Sequence, residues 1–179
     1  LFFEGTGISR GIDFLIQKKI GKYSGWLGYT LSEVVHSFQD LTNNPFYALN
    51  DQRHEFKIVN ALKAGRWDLG ATWIYGSGKP YTAPKGIYTI KLLDGSETEY
   101  VNVGEKNGPR LAPYHRLDLS ATYNFNLGSG KGNMGLSLFN LYNRSNTWYK
   151  EFEIIGGEMI ETNVNYLGFT PSLFFNVSF

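Results

Sequence analysis

The chain has 179 residues, a formal net charge of +1 and no cysteine. Near-neutral charge leaves no electrostatic footprint for a nucleic acid, and the missing cysteines remove disulfides, thiol catalysis and thiolate metal sites together. Hydrophobic content is 42% while mean hydropathy is −0.27, so apolar residues are interleaved with polar ones; no window reaches the roughly 18 consecutive apolar residues of a transmembrane helix.

The chain opens at Leu1-Phe-Phe-Glu-Gly, without an initiator methionine or a signal peptide's basic and apolar regions, so it is expected to be a fragment of something longer. From Gly11 to Lys19, Ile12, Phe14 and Ile16 alternate with Asp13 and Gln17, Leu15 being the exception. Gly21-Lys22 turns the chain into a strand from Tyr23 to Ser32, with Leu27, Tyr29 and Leu31 on one face and Gly28, Thr30 and Ser32 on the other. Val35 to Asn50 reads as a loop with a turn at Asn43-Asn44-Pro45. Strands follow from Arg53 to Lys63 and from Trp67 to Tyr75, joined through Ala64-Gly65-Arg66; Trp67, Leu69, Ala71, Trp73 and Tyr75 give the cleanest alternation in the sequence.

Ser77 to Pro113 is a long connection holding an inner hairpin, Ile87 to Leu93 against Thr98 to Val103, joined through Asp94-Gly95. Arg116 to Leu127 resumes the two-residue period, Gly128 to Gly132 is expected to turn it, and a sixth strand runs from Asn133 to Asn143. A second excursion, Arg144 to Gly168, holds a hairpin around Gly156-Gly157, and the strand from Pro171 to Phe179 sets Leu173, Phe175, Val177 and Phe179 on one face.

Short turns and long excursions therefore alternate, as they do in outer-membrane barrels. Aromatic content of 16% suits the girdles of such barrels. The expected fold is all-β, an antiparallel transmembrane β-barrel, because a closed barrel satisfies every backbone hydrogen bond in lipid. Seven strands are an odd number, so part of the barrel is expected to precede Leu1.

Several segments carry a resemblance: Gly7-Ile-Ser-Arg-Gly-Ile-Asp-Phe14, Gly25-Trp-Leu-Gly-Tyr-Thr-Leu-Ser32, Asn50-Asp-Gln-Arg-His-Glu-Phe56, Trp73-Ile-Tyr-Gly-Ser-Gly-Lys-Pro-Tyr81, the strand from Arg116 to Phe125, Leu138-Phe-Asn-Leu-Tyr-Asn-Arg144, and the terminal Phe179. In order and spacing they resemble the C-terminal part of a TonB-dependent outer-membrane receptor of the Bacteroidetes type. The resemblance implies that residues 1–179 are the last seven strands of a barrel of about 22 strands with a plugged lumen. It implies active import of a scarce nutrient such as a metal chelate, vitamin or glycan. The implied partners are the rest of the barrel and its plug, the TonB energy-coupling complex, the barrel-assembly machinery, outer-membrane lipid and a surface lipoprotein. The plug and coupling segment are absent from this chain. The terminal pattern of Phe175, Val177 and Phe179 resembles the family's assembly signal.

Asp13, Glu55, Lys57, Asp68, Arg116 and Asp118 fall on the wet faces of their strands and are the lumen-facing candidates, as a solvated ion network or as contacts to a plug. Tyr81, Tyr88, Tyr100, Trp148 and Tyr149 lie in the long excursions, where they would stack on a sugar or chelate ring or pack the loops. His36, His54 and His115 would need to converge with a carboxylate to bind a metal, and neither a metal nor another cofactor is expected. Gly76-Ser-Gly-Lys79 and Gly128-Ser-Gly-Lys131 miss the spacing of a phosphate loop and read as turns. No nucleophile, base and acid are placed by spacing, so enzyme activity is not expected. Two other readings stand beside the transporter. One is a small self-contained outer-membrane barrel with a structural, adhesive or passive-pore role, its eighth strand in the Ile87 to Val103 hairpin or upstream of Gly5. The other is a soluble ligand-binding barrel, against which the stripe of Trp67, Leu69, Trp73 and Tyr75 counts.

Overall fold

The computed structural model describes residues 4–38 and 44–179. It is all-β: β1 (Thr6–Ile20), β2 (Tyr23–Ser37), β3 (Phe46–Tyr47), β4 (His54–Ala64), β5 (Trp67–Gly76), β6 (Pro84–Lys91), β7 (Glu97–Val103), β8 (Tyr114–Leu127), β9 (Gly130–Phe139), β10 (Thr147–Ile155), β11 (Glu158–Asn165) and β12 (Thr170–Ser178). Seven of them form one antiparallel sheet in the order β1-β2-β4-β5-β8-β9-β12, with β3 added beside β2. Each long strand pairs with the next long strand of the chain, across short turns at Gly21, Gly65 and Gly128 and across longer connections elsewhere. Gly21, Gly65 and Gly128 supply the positive φ (54°, 64° and 57°) that tight hairpin turns require. The excursions fold on themselves, β6 with β7 and β10 with β11, as separate two-stranded sheets. The β6–β7 hairpin, where an eighth strand was sought, thus pairs outside the main sheet.

Register sorts the side chains into two faces. On one, Phe14, Tyr29, Phe56, Tyr75 and His115 stand opposite one another in a row across five strands. Below it runs Ile16, Leu27, Ile58, Trp73 and Leu117. Nearer the short turns come Leu69, Ala121, Leu136 and Leu173, then Trp67, Tyr123, Met134 and Phe175. The other face carries the polar partners, among them the rows Ser120, Ser137, Ser172 and Asn124, Asn133, Asn176.

The apolar face is uncovered among the described residues. Among the described residues Ala48 is the one buried hydrophobic, whereas Phe14, Ile16, Leu69, Leu136, Leu173 and Phe175 are all exposed. The two outer strands also lack a second neighbour, since β1 and β12 do not pair with each other among the described residues.

The structure departs from the sequence pattern in three places. β2 continues to Ser37 through residues read as loop. There β1 supplies partners up to Thr6, and Glu33 receives Arg10 Nε at 2.8 Å and Arg53 Nη2 at 2.5 Å. Asn43, in the expected turn, lies outside the described residues. Gly130 and Gly132, read as turn, belong to β9. At Gly132 a Cβ would fall 2.4 Å from the Phe125 ring, so an aromatic side chain covers the bare backbone from the facing strand. Finally, β9 ends at Phe139, because Asn140 and Asn143 take left-handed φ of 50° and 52° and bend the chain into the second excursion.

Candidate functional site

At the long-excursion end of the polar face, β4, β5 and β8 set two rows side by side: Glu55, Gly76 and Tyr114, then Lys57, Ile74 and Arg116. These six residues floor a cleft of about 300 Å³. The first excursion forms one wall with Ser77, Gly78, Lys79, Leu111 and Ala112, and the second forms another with Thr147, Trp148 and Tyr166.

Backbone pairing holds the first wall in place. Leu111 N–H donates to the Lys79 carbonyl and Tyr81 N–H to that of Pro109, both at 2.9 Å. Gly78 permits this close approach, since a Cβ there would lie 1.7 Å from the Leu111 carbonyl oxygen. Asp51, fully buried, anchors the same wall by accepting from Arg110 Nη2 at 2.5 Å and from Val34 N–H at 2.7 Å. A buried carboxylate of this kind needs such partners, or its desolvation goes uncompensated. Arg110 also lies 4.6 Å over the Tyr47 ring, which ties the excursion to β3.

Asparagines hold the second wall. Buried Asn140 donates through Nδ2 to the carbonyls of Arg144 at 2.9 Å and Leu167 at 3.2 Å, and its Oδ1 accepts from Arg144 N–H at 3.1 Å. Its own N–H donates to Asp118 Oδ1 at 2.9 Å. The Asn146 amide pairs with the His115 backbone as another strand would, accepting from its N–H and donating to its carbonyl, each at 3.0 Å. Tyr114 meets Tyr166 edge-on at 5.6 Å, and Tyr166 lies 5.8 Å from Trp148.

Within the cleft, Lys57 is ion-paired to Glu55. Arg116 lies with Nε 3.0 Å from Asp118, donates through Nη1 to the Tyr114 hydroxyl at 3.0 Å, and stacks 4.2 Å over Phe139. Its Nε–Asp118 contact is electrostatic, for Nε is buried without a well-aligned acceptor. The Lys79 side chain is exposed and engages no partner among the described residues. Three cationic side chains thus border the cleft against one carboxylate.

The sequence-derived candidates divide between this cleft and other places. Glu55, Lys57, Arg116 and Trp148 line it. Asp118 backs it through Arg116. Asp13 and Asp68 share the polar face at a distance from the cleft, accepting from Thr30 Oγ1 at 2.5 Å and Asn124 Nδ2 at 2.7 Å. Tyr88 and Tyr100 stack on each other at 5.7 Å across β6–β7. Tyr81 stacks on Phe152 at 6.4 Å beneath the Lys150 ammonium, and Tyr149 packs edge-on to Trp148 at 5.0 Å. Phe175 and Val177 lie on the apolar face of β12, and Phe179 follows that strand fully exposed. His36 packs edge-on to Phe46, while His54 and His115 bond the hydroxyls of Tyr29 and Tyr142 at 2.9 and 2.8 Å.

Lys79, Tyr114, Tyr166 and Gln52 also line the cleft without having been singled out from the sequence. Lys79 was visible only as part of a glycine-rich turn. Tyr114 was legible in principle, since it continues the alternation of β8 by one step. No protein-family model, curated protein or solved structure matches the chain.

Proposed function

We propose that this sheet is part of the wall of an antiparallel transmembrane β-barrel in a bacterial outer membrane. In this reading it forms the closing seven strands of a larger barrel of TonB-dependent receptor type, engaged in energy-driven uptake of a scarce nutrient. One observation carries the proposal: from β2 to β12 the sheet has a continuous apolar face, free of charge between the Tyr75–His115 and Trp67–Tyr123 rows, with Lys18 on the outer strand β1 the one charge in that band, and the face has no protein partner among the described residues. Water would penalise it at roughly 25 cal/mol per Å², whereas acyl chains would not. Eight residues separate Trp67 from Tyr75, which is about 27 Å along a strand and suits a tilted crossing of a hydrocarbon layer about 25–30 Å thick. The unpaired outer edges of β1 and β12 support a sheet continued by further strands, because lipid leaves no backbone group unsatisfied.

In this reading the polar face with Asp13, Glu55, Lys57, Asp68, Arg116 and Asp118 lines the lumen, and the cleft opens at its long-loop mouth. The rest of the barrel, a plug, the TonB complex, the assembly machinery and a surface lipoprotein are the partners that follow. The test is to reconstitute the native polypeptide in vesicles of brominated lipid with single tryptophans retained. Trp67 and Trp73 should be quenched strongly and Trp148 weakly. Quenching of all of them by aqueous iodide instead would sink the membrane reading. Intact mass of the polypeptide extracted from outer membranes separates a closing segment, several times the 20.3 kDa of this chain, from a small self-contained barrel of equal mass.

A further inference from the structure

We propose that the cleft binds an acidic sugar, a hexuronate unit of a glycan, through its ring face and its carboxylate. The inference rests on the uptake reading above and narrows its substrate class.

Three features select this chemistry. The first is an exposed Trp148 leaning on Tyr166, which offers an indole face beside the apolar floor at Ile74; pyranose C–H groups stack on such a surface. The second is charge. Lys79 reaches into solvent at the rim without a partner among the described residues. Arg116, held by Phe139 and Tyr114, is a fixed cation at the floor. A ligand carboxylate placed near Lys79 forms a charge-assisted hydrogen bond that displaces no existing ion pair.

The third feature is Glu55, whose carboxylate lines the same cleft. Ion-paired to Lys57, it keeps lone pairs that accept hydrogen bonds from sugar hydroxyls, and the hydroxyls of Tyr114 and Tyr166 add further polar contacts. A cleft of about 300 Å³ holds one or two sugar rings and lies at the small end of the usual range for ligand sites.

The experiment is calorimetric titration of the full native polypeptide in detergent with digalacturonate, its dimethyl ester and benzoate. Digalacturonate should bind saturably, with the ester about tenfold weaker, as loss of one charge-assisted contact predicts. Lys79→Ala should abolish that preference, bringing digalacturonate down to the affinity of the ester. Trp148→Ala should weaken both sugars about fivefold, with Trp148→Phe intermediate. Equal binding of acid and ester, benzoate binding as well as digalacturonate, or no binding at all would each overturn the proposal. Because lipid quenching of Trp67 and Trp73 reads out the barrel separately, loss of sugar binding with that quenching intact refutes the ligand alone.

Discussion

In the main sheet Ile58, Trp73 and Leu117 meet on one face, while Lys57, Ile74 and Arg116 meet on the other. In the β10–β11 hairpin Phe152 faces Glu161 on one side and Glu153 faces Ile160 on the other; in β6–β7, Ile87 and Val101 share a face with Lys91 and Glu97. Both regions are antiparallel hairpins turned by glycines of positive φ, at Gly95, Gly156 and Gly157 in the excursions, although each excursion ladder carries a register shift that the sheet hairpins lack. What differs is segregation. The β10–β11 hairpin mixes charge and hydrocarbon on both faces and β6–β7 does so on one, as strands bathed in water do, whereas the sheet from β2 to β12 separates them between its two faces over the span from Tyr75 to Trp67.

The comparison breaks most sharply at Leu119, midway along β8 between His115 and Tyr123 and opposite Ala71 and Leu138. Leu119→Arg should cost about 2–4 kcal/mol in a bilayer. Thr89→Arg in β6 should stay within about 0.5 kcal/mol. Urea titration of both variants in vesicles measures the difference, and equal costs would remove the distinction between the regions.

Asn140 joins the two regions and comes next in size. Asn140→Ala removes three side-chain hydrogen bonds at a buried left-handed position and should cost about 1–3 kcal/mol. Asn140→Gly relieves the backbone strain without restoring those bonds, so it should recover only part of the loss. Amide exchange should report the damage at Arg144 and in the chain leading into β12 before it reaches β1 or β2.

These residues also mark where the sequence was legible. Period-two alternation placed seven sheet strands because each has one face chemically unlike the other. It lost β2 beyond Ser32, where Glu33 interrupts the oily face; that glutamate is held by Arg10 and Arg53, partners distant in sequence. It also ran β9 past Phe139 to Asn143, although Phe139 and Leu141 blur the alternation there and Asn140 has already turned the chain. On the cleft floor, Glu55, Lys57 and Arg116 were visible as charges on wet faces. The walls depend on loop backbone pairing between Lys79 and Leu111 and on the bonds of Asn140 and Asn146, which leave no periodic trace.

Gly135 sharpens the same contrast with a smaller effect. A Cβ there would meet the tip of the Phe174 ring at 2.4 Å, on the polar face. Phe174 is exposed and free to swing away, so Gly135→Ala should cost about 1 kcal/mol, at the low end for overpacking. Combining it with Phe174→Ala should recover most of that cost. A deficit unchanged in the double variant would place the strain in the β9 backbone.

The smallest expected effect belongs to Asp94, in the turn of β6–β7. The Ser96 hydroxyl and then its N–H donate to Asp94 Oδ1, at 2.6 and 2.9 Å, and hold the carboxyl below its ordinary value. Because the folded pKa is the lower one, this contribution is present above the unfolded pKa of about 3.9 and fades as pH falls through the folded value. The Asp94 carboxyl carbon should therefore titrate below a free aspartate in NMR, and Ser96→Ala should bring it most of the way back. The accompanying loss of order should stop at Leu92, whose N–H bond to the Ser96 carbonyl closes the turn, because β6–β7 pairs only with itself. A shift that propagated into β5 or β8 would mean that the excursion and the sheet share one cooperative unit, against the independence their separate pairing implies.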